Sequence, residues 1–161
     1  MSEHSEAACW ELSMANEQDR EGIYRLRHTI YAEEIGQHGV NETGSLRDDL
    51  DAFNTYIIAK RHGKIAGFVS ITPPEAPSFS IDKYFDRRLI PLAFDPQLFE
   101  VRLLSIEKVF RNTSLALLLM YAAKRWVEAR GGKHIIAICR SMLMKMYVNA
   151  GLLPLKHNTV S

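Results

Sequence analysis

The sequence predicts an α/β domain, and three observations carry that expectation. Short apolar runs of strand character alternate with segments whose apolar residues recur at helical spacing. Two of the strand runs flank His62-Gly63, a hairpin signal. A third, His134–Cys139 (HIIAIC), is continuously apolar, as expected of a strand covered on both faces beside a parallel neighbour. With 161 residues, 47% hydrophobic and 24% charged, the chain has the size and composition of one domain, 1–161, with a substantial core.

The elements follow in order. Ala8–Met14, with Trp10 and Leu12, reads as a first strand. Glu17–Ile35 is helical: Ile23, Leu26, Ile30 and Tyr31 share a stripe, and Asn16 is placed to cap it. Gly36–Leu50 is a polar loop long enough to carry function. Asn54–Arg61 and Lys64–Thr72 form the hairpin, and Pro73, Pro74 and Pro77 end it. One helical turn is expected within Phe79–Phe85 and a central strand at Leu98–Ile106. Ser114–Arg130 is the strongest helix, with Leu115, Leu118, Leu119, Ala122, Trp126 and Ala129 on its apolar stripe and Gly131-Gly132 to stop it. After His134–Cys139, a short helix spans Ser141–Asn149 and a further strand opens at Leu152–Leu155. The order is β-α-β-β-β-α-β-α-β. The chain stops soon after that strand begins, so a closing strand or a further C-terminal domain is expected beyond Ser161.

Charge is unevenly distributed. Residues 1–100 hold 10 Lys/Arg against 17 Asp/Glu, whereas residues 101–161 hold 10 against two. A basic C-terminal part favours an anionic partner, or serves only solubility. Lys124, Arg125, Arg130, Lys133, Arg140 and Lys145 suit either an acidic carrier protein or a solvated face. No helix-turn-helix or aromatic-rich basic surface argues for nucleic acid. Cys9 and Cys139 read as buried free thiols, and neither the cysteines nor the six histidines have metal-ligand spacing. The N-terminus lacks the pattern of a secretory signal, and the longest apolar run, Leu115–Ala123, is too short to span a bilayer; a cytoplasmic protein is expected.

Phe99–Ala116 (FEVRLLSIEKVFRNTSLA) holds the chemistry. Glu100 and Arg102 lie two apart on a strand and share a face. The loop Arg111-Asn112-Thr113 enters a helix at Ser114-Leu115-Ala116. Unsatisfied N–H groups at a helix N-terminus, beside an arginine, suit a phosphate or pyrophosphate. The plainer alternative is that Asn112, Thr113 or Ser114 is a helix cap. Glu100 is a candidate base, or it and Arg102 are a structural ion pair.

These residues resemble the GNAT N-acyltransferase superfamily. Its phosphate-loop motif, Gln/Arg-x-x-Gly-x-Gly/Ala, lies over Arg111, Asn112, Thr113, Ser114, Leu115 and Ala116, with Ser114 in a glycine position. Its late Tyr-x-x-x-Gly-Phe motif lies over Tyr147–Leu152, with Leu152 in the phenylalanine position. The first half is similar to the acyl-homoserine-lactone synthases and related N-acyl amino acid synthases: Arg27 and Tyr31 on the first helix, Asp48-Asp49-Leu50-Asp51, and the run Ile65–Ser70. The lactone synthases have Glu-x-x-Arg where this chain has Glu100-Val101-Arg102, and a tryptophan after the first helix that this chain lacks.

The resemblance implies a mainly antiparallel, twisted sheet flanked by helices, with a splayed central strand pair. It implies transfer of a fatty acyl group from acyl carrier protein or acyl-CoA to the amine of an amino acid or similar small molecule, by direct attack. The acyl-phosphopantetheine donor is a co-substrate; no permanently bound cofactor or metal is implied. Its phosphate would lie on Arg111–Ala116. The thioester would lie at a strand bulge near Leu103 or Leu104, whose freed N–H polarises the carbonyl. Tyr147 would protonate the departing thiolate, or is a core aromatic. Arg27 and Tyr31 would shape the amine pocket, or Arg27 pairs with Asp48, Asp49 or Asp51. An α-amine with pKa ~8 is about one-tenth neutral at pH 7, so its deprotonation costs roughly 1.4 kcal/mol, against roughly 4.6 for a lysine side chain. A moderate carboxylate such as Glu100 suffices for the former. Two alternatives are an acetyl-CoA-dependent N-acetyltransferase and a non-catalytic module that binds an acyl carrier.

Overall fold

The computed structural model describes residues 9–155. Five strands form one sheet in the order β1-β2-β3-β4-β5: β1 (Glu11–Met14), β2 (Thr55–Arg61), β3 (Lys64–Thr72), β4 (Leu98–Ile106) and β5 (His134–Ile136). The first three pairings are antiparallel and the β4–β5 pairing is parallel. The sheet is therefore the mixed, mainly antiparallel one expected. β4 is the fourth strand rather than the central one; β3 holds the middle.

Helix α1 (Glu17–His28) lies on one face, and α2 (Leu115–Ala129) and α3 (Met144–Asn149) on the other. Ile23 of α1 packs on Tyr56, Ile58 and Phe68. On the opposite face Ile57, Val69, Ile71, Phe99 and Val101 meet Leu115, Leu119, Met120, Ala123 and Val127 of α2. The buried stripe of α2 is thus rotated from the expected one: Leu119 is central, while Leu118 is exposed. In so apolar a helix, the crowding of β3 and β4 selects the buried side.

Local chemistry explains the boundaries. Asn16 accepts from the Asp19 N–H at 2.9 Å, and the Asp19 carboxylate accepts from the Asn16 N–H at 2.9 Å, a reciprocal cap on α1. Asn16→Ala is expected to lower stability by about 1 kcal/mol, read as a shift in urea midpoint at constant slope. His62 and Gly63 both have positive φ, 51° and 74°, as a tight hairpin turn requires. Gly131, at φ 77°, closes α2 while Gly132 N–H reaches back to the Val127 carbonyl.

The expected first helix changes character. Beyond His28 it continues as a wide π turn, Thr29–Glu34, where the Ile35 N–H bonds Ile30 O at 2.9 Å. β5 is shorter than HIIAIC: pairing ends at Glu100↔Ile136, and residues 137–140 are not strand. Leu152–Leu155 forms no strand among the described residues. Cys9 is exposed and Cys139 partly so, not the buried pair expected; burial raises the Cys139 thiol pKa. No described helix is long and apolar enough to cross a membrane.

Candidate active site

The decisive irregularity lies in β4. Ser70 pairs with Arg102 and Phe68 with Ser105, so Val69 faces two residues, Leu103 and Leu104. This is a β-bulge, and Leu103 adopts φ 56°, unusual for a residue with a side chain. One extra residue reverses the alternation of faces. Leu98, Glu100 and Arg102 therefore point to the α1 face, while Leu104 and Ile106 join Phe99 and Val101 under α2. β5 has already left β4 by this point, so the two strands part around the bulge.

A cavity of about 870 Å³ opens beside the bulge. Leu104, Ser105 and Ile106 form one wall, and Met142, Leu143, Met146 and Asn149 the other. At its far end is the turn predicted to bind phosphate: Arg111, Asn112, Thr113, Ser114 and Ala116 all line it. Asn112 takes φ 58°, which turns successive N–H groups to one side. Thr113 Oγ donates to Phe110 O at 2.6 Å and accepts from Leu115 N–H at 3.3 Å, while the Ser114 side chain makes no capping bond. The N–H groups of Asn112, Thr113, Ser114, Ala116 and Leu117 make no hydrogen bond within the described residues. The turn is a row of free donors at the positive end of a 15-residue helix, open to a cavity. Leu115, the fifth of the six motif residues, is fully buried instead and anchors the helix.

Tyr147 reaches the bulge from α3. It is buried, and its hydroxyl oxygen accepts the freed Leu104 N–H at 3.1 Å. Because the oxygen is the acceptor, the phenolic proton remains available to another group. Burial pushes its pKa well above the usual value.

The other face of β4 carries a buried charged cluster. Arg27 and Arg102 are 3% and 4% exposed. Arg27 donates to both Asp51 oxygens, at 3.1 and 2.9 Å, and to Asp48 at 2.7 Å. Arg102 donates to both oxygens of the same Asp48, one at 3.2 Å. Tyr56 Oη donates to Asp51. Burial disfavours the Asp48 carboxylate, but Arg102 and Arg27 outweigh it and hold its pKa down to about 2. Burial likewise opposes the Arg102 charge, and Asp48 more than offsets it. The Nε–H groups of both arginines are buried without partners. Tyr31 is buried beside Ser105, and burial raises its pKa against the pull of the two arginines.

Glu100 does not pair with Arg102, which corrects the ion-pair alternative. Its carboxylate accepts the Ser80 N–H at 2.8 Å and the Ile81 N–H at 3.1 Å, at the start of the helical turn Ser80–Lys83. It is wholly buried and does not line the cavity. Burial raises its pKa; the two amides pull the other way without prevailing. Of the acidic loop, Asp48 and Asp51 reach Arg27 and Asp49 does not. Sequence reasoning missed Tyr56, Glu34 and Lys108, none of which carried a signal. Of the basic set expected on a carrier-docking or solvated face, Lys145 lines the cavity.

The fold and the cavity beside the bulge in β4 define a class, the acyltransferases. Residues 26–121 match the family model described as Acetyltransferase (GNAT) domain, and the chain belongs to that family. Its chemistry moves an acyl group from a CoA- or carrier-borne donor to an amine. Among solved structures the chain is similar to the AHL synthase LasI (17% identity, 89% of this chain and 79% of that one, TM-score 0.72). It is also similar to BjaI, a CoA-dependent acyl-homoserine lactone synthase solved with SAM and isopentyl-CoA (21%, 90% and 74%, TM-score 0.75). A third likeness is to the aminoglycoside N-acetyltransferase AAC(6')-Iy in complex with CoA (16%, 94% and 97%, TM-score 0.61). At these identities the likeness is one of fold. No curated protein matches the chain.

Proposed function

We propose that this domain, taken as the single unit 1–161, transfers a fatty acyl group from a phosphopantetheine thioester to the amine of an amino acid or similar small molecule. The observation that carries the proposal is a single cavity lined both by Leu104 and by the turn whose Asn112, Thr113, Ser114, Ala116 and Leu117 amides are free among the described residues. Phosphate sits on the turn with Arg111, pantetheine follows the cavity, and the thioester carbonyl takes the Leu104 N–H from Tyr147 Oη. That donor is worth roughly 2.7–4 kcal/mol of barrier when aimed at a developing oxyanion. Tyr147, its proton uncommitted, protonates the leaving thiolate. The amine approaches from the α1 face, where Arg27, Tyr31, Glu100 and Arg102 are ranged along or beside β4. The buried arginine Nε–H groups supply unmatched donors there. Glu100 holds the Ser80–Ile81 turn against the strand and orients the amine side, and it accepts the amine proton through water once that turn yields. The apolar far wall, with Met142, Leu143 and Met146, suits a long acyl chain, and acyl carrier protein or acyl-CoA is the donor.

A thiol-release assay tests the proposal. Long-chain acyl-carrier or acyl-CoA thioesters are expected to turn over faster than acetyl-CoA with a panel of amino acids. Equal or better turnover of acetyl-CoA supports the second reading, an acetyltransferase, which the matched family's description favours. Arg111→Ala is expected to raise KM for the donor about tenfold, as loss of one charge-assisted contact does, with kcat little changed.

A further inference from the structure

We infer that Glu34 discriminates between donors at the phosphate turn, disfavouring the highly charged nucleotide end of coenzyme A relative to the singly charged phosphodiester of a carrier-borne pantetheine. The inference rests on the donor reading of the cavity and goes on to name a residue that selects the donor.

Glu34 is the only carboxylate lining the cavity among the described residues. It ends the π turn, whose extra residue per turn changes where the side chains that follow α1 point. Its Oε2 lies 2.5 Å from Arg111 Nη2, while Arg111 Nε donates to Ile106 O at 3.0 Å. The arginine that would meet phosphate is therefore tethered by two acceptors, one of them negatively charged and inside the cavity. A phosphate arriving at the turn competes with Glu34 for the same guanidinium protons and is repelled by its charge. Neither effect touches the pantetheine arm, which is neutral.

The penalty scales with the charge brought in. A serine-linked phosphodiester carries about one negative charge, whereas coenzyme A brings about two on its pyrophosphate and up to two more on its ribose phosphate. Screening over ~8 Å at physiological salt weakens the more distant charge but not the one at the turn. Lys108 and Lys145, also on the cavity lining, attract the more charged donor more strongly, so the contribution of Glu34 is read as the difference between wild type and variant. Glu34 subtracts most from the more charged donor.

Calorimetric titration of the intact protein with three probes tests this: coenzyme A, the methyl diester of 4′-phosphopantetheine, and pantetheine. Glu34→Gln keeps the shape and removes the charge. It is expected to tighten coenzyme A about tenfold and the diester about twofold, and to leave pantetheine unchanged. The gain for coenzyme A is expected to shrink as salt is raised, and Glu34→Ala is expected to reproduce the order. Weaker coenzyme A binding by the variants would mean that Glu34 positions Arg111 for phosphate, and would overturn the inference. An equal change for all three probes would overturn it too, as a structural effect. If neither wild-type protein nor Glu34→Gln binds coenzyme A or the diester better than pantetheine, the turn does not hold phosphate and the donor reading itself fails. That result is separable, because it lies in the comparison of probes and not in the effect of the substitution.

Discussion

Asp48→Ala is expected to destabilise the protein by roughly 3–5 kcal/mol, the scale seen when one partner of a buried ion pair is removed. Asp48 sits between two guanidinium groups that are almost wholly buried, and among the described residues it is the only carboxylate bonded to Arg102. Without it, Arg102 keeps its charge and loses its partner, and Arg27 falls back on Asp51 alone. With a urea slope of roughly 1–3 kcal/mol per molar, the unfolding midpoint should fall by more than about 1 M. Arg102→Met placed on top of Asp48→Ala should recover part of the loss, because the stranded charge goes with it. An unchanged midpoint in the single variant would end the argument that this cluster holds the loop down.

The same residue predicts an acid limb. The Asp48 carboxyl is held at about 2 in the folded protein, against an ordinary 3.8. A depressed folded pKa adds stability above the unfolded value, and that stability is lost as pH falls through the folded one. The contribution is therefore intact above about pH 4 and disappears toward pH 2. In the Asp48→Ala variant this part of the acid transition should be missing.

Tyr147→Phe is expected to lower kcat about 10²-fold, the lower end for loss of a general acid, with donor KM nearly unchanged. The hydroxyl holds the Leu104 N–H in the free protein and has its proton to give. Its pKa lies well above 10, so it stays protonated over the working range. No alkaline fall in kcat below about pH 10 should therefore trace to Tyr147. Deleting the hydroxyl also leaves the buried Leu104 N–H unpaired, at a cost of about 1–3 kcal/mol in stability. A variant with normal turnover and lowered stability would reduce Tyr147 to a structural prop for the bulge.

Much of the fold was legible because its signals are local. β3 and β4 begin and end where their apolar runs do, and the His62-Gly63 turn and the Gly131-Gly132 stop follow from backbone chemistry. The turn proposed to hold phosphate was legible as a loop entering a helix, since an arginine, three small polar residues and an apolar helix are contiguous. Errors fell where long-range geometry rules. HIIAIC is uniform in character, yet only three of its residues are strand, because the bulge in β4 turns its neighbour's edge away. In α2 almost every position is apolar, so periodicity left the buried side to be chosen by the sheet.

The candidate site divides along the same line. Sequence alone placed Arg27 and Tyr31 on the first helix, the acidic loop before the hairpin, Glu100 and Arg102 on one strand and Tyr147 on a short helix. Those placements need only local propensity; their tie to GNAT domains came from the resemblance. Tertiary structure decided which charges meet. Asp48 is shared by Arg27 and Arg102, 21 and 54 residues away, Glu100 turns to the Ser80–Ile81 amides instead, and Glu34 takes Arg111 across 77 residues. A buried charge takes whichever partner packing brings within hydrogen-bond reach, because leaving it alone costs several kcal/mol. That contest is settled by distances in space, which the order of residues along the chain does not encode locally.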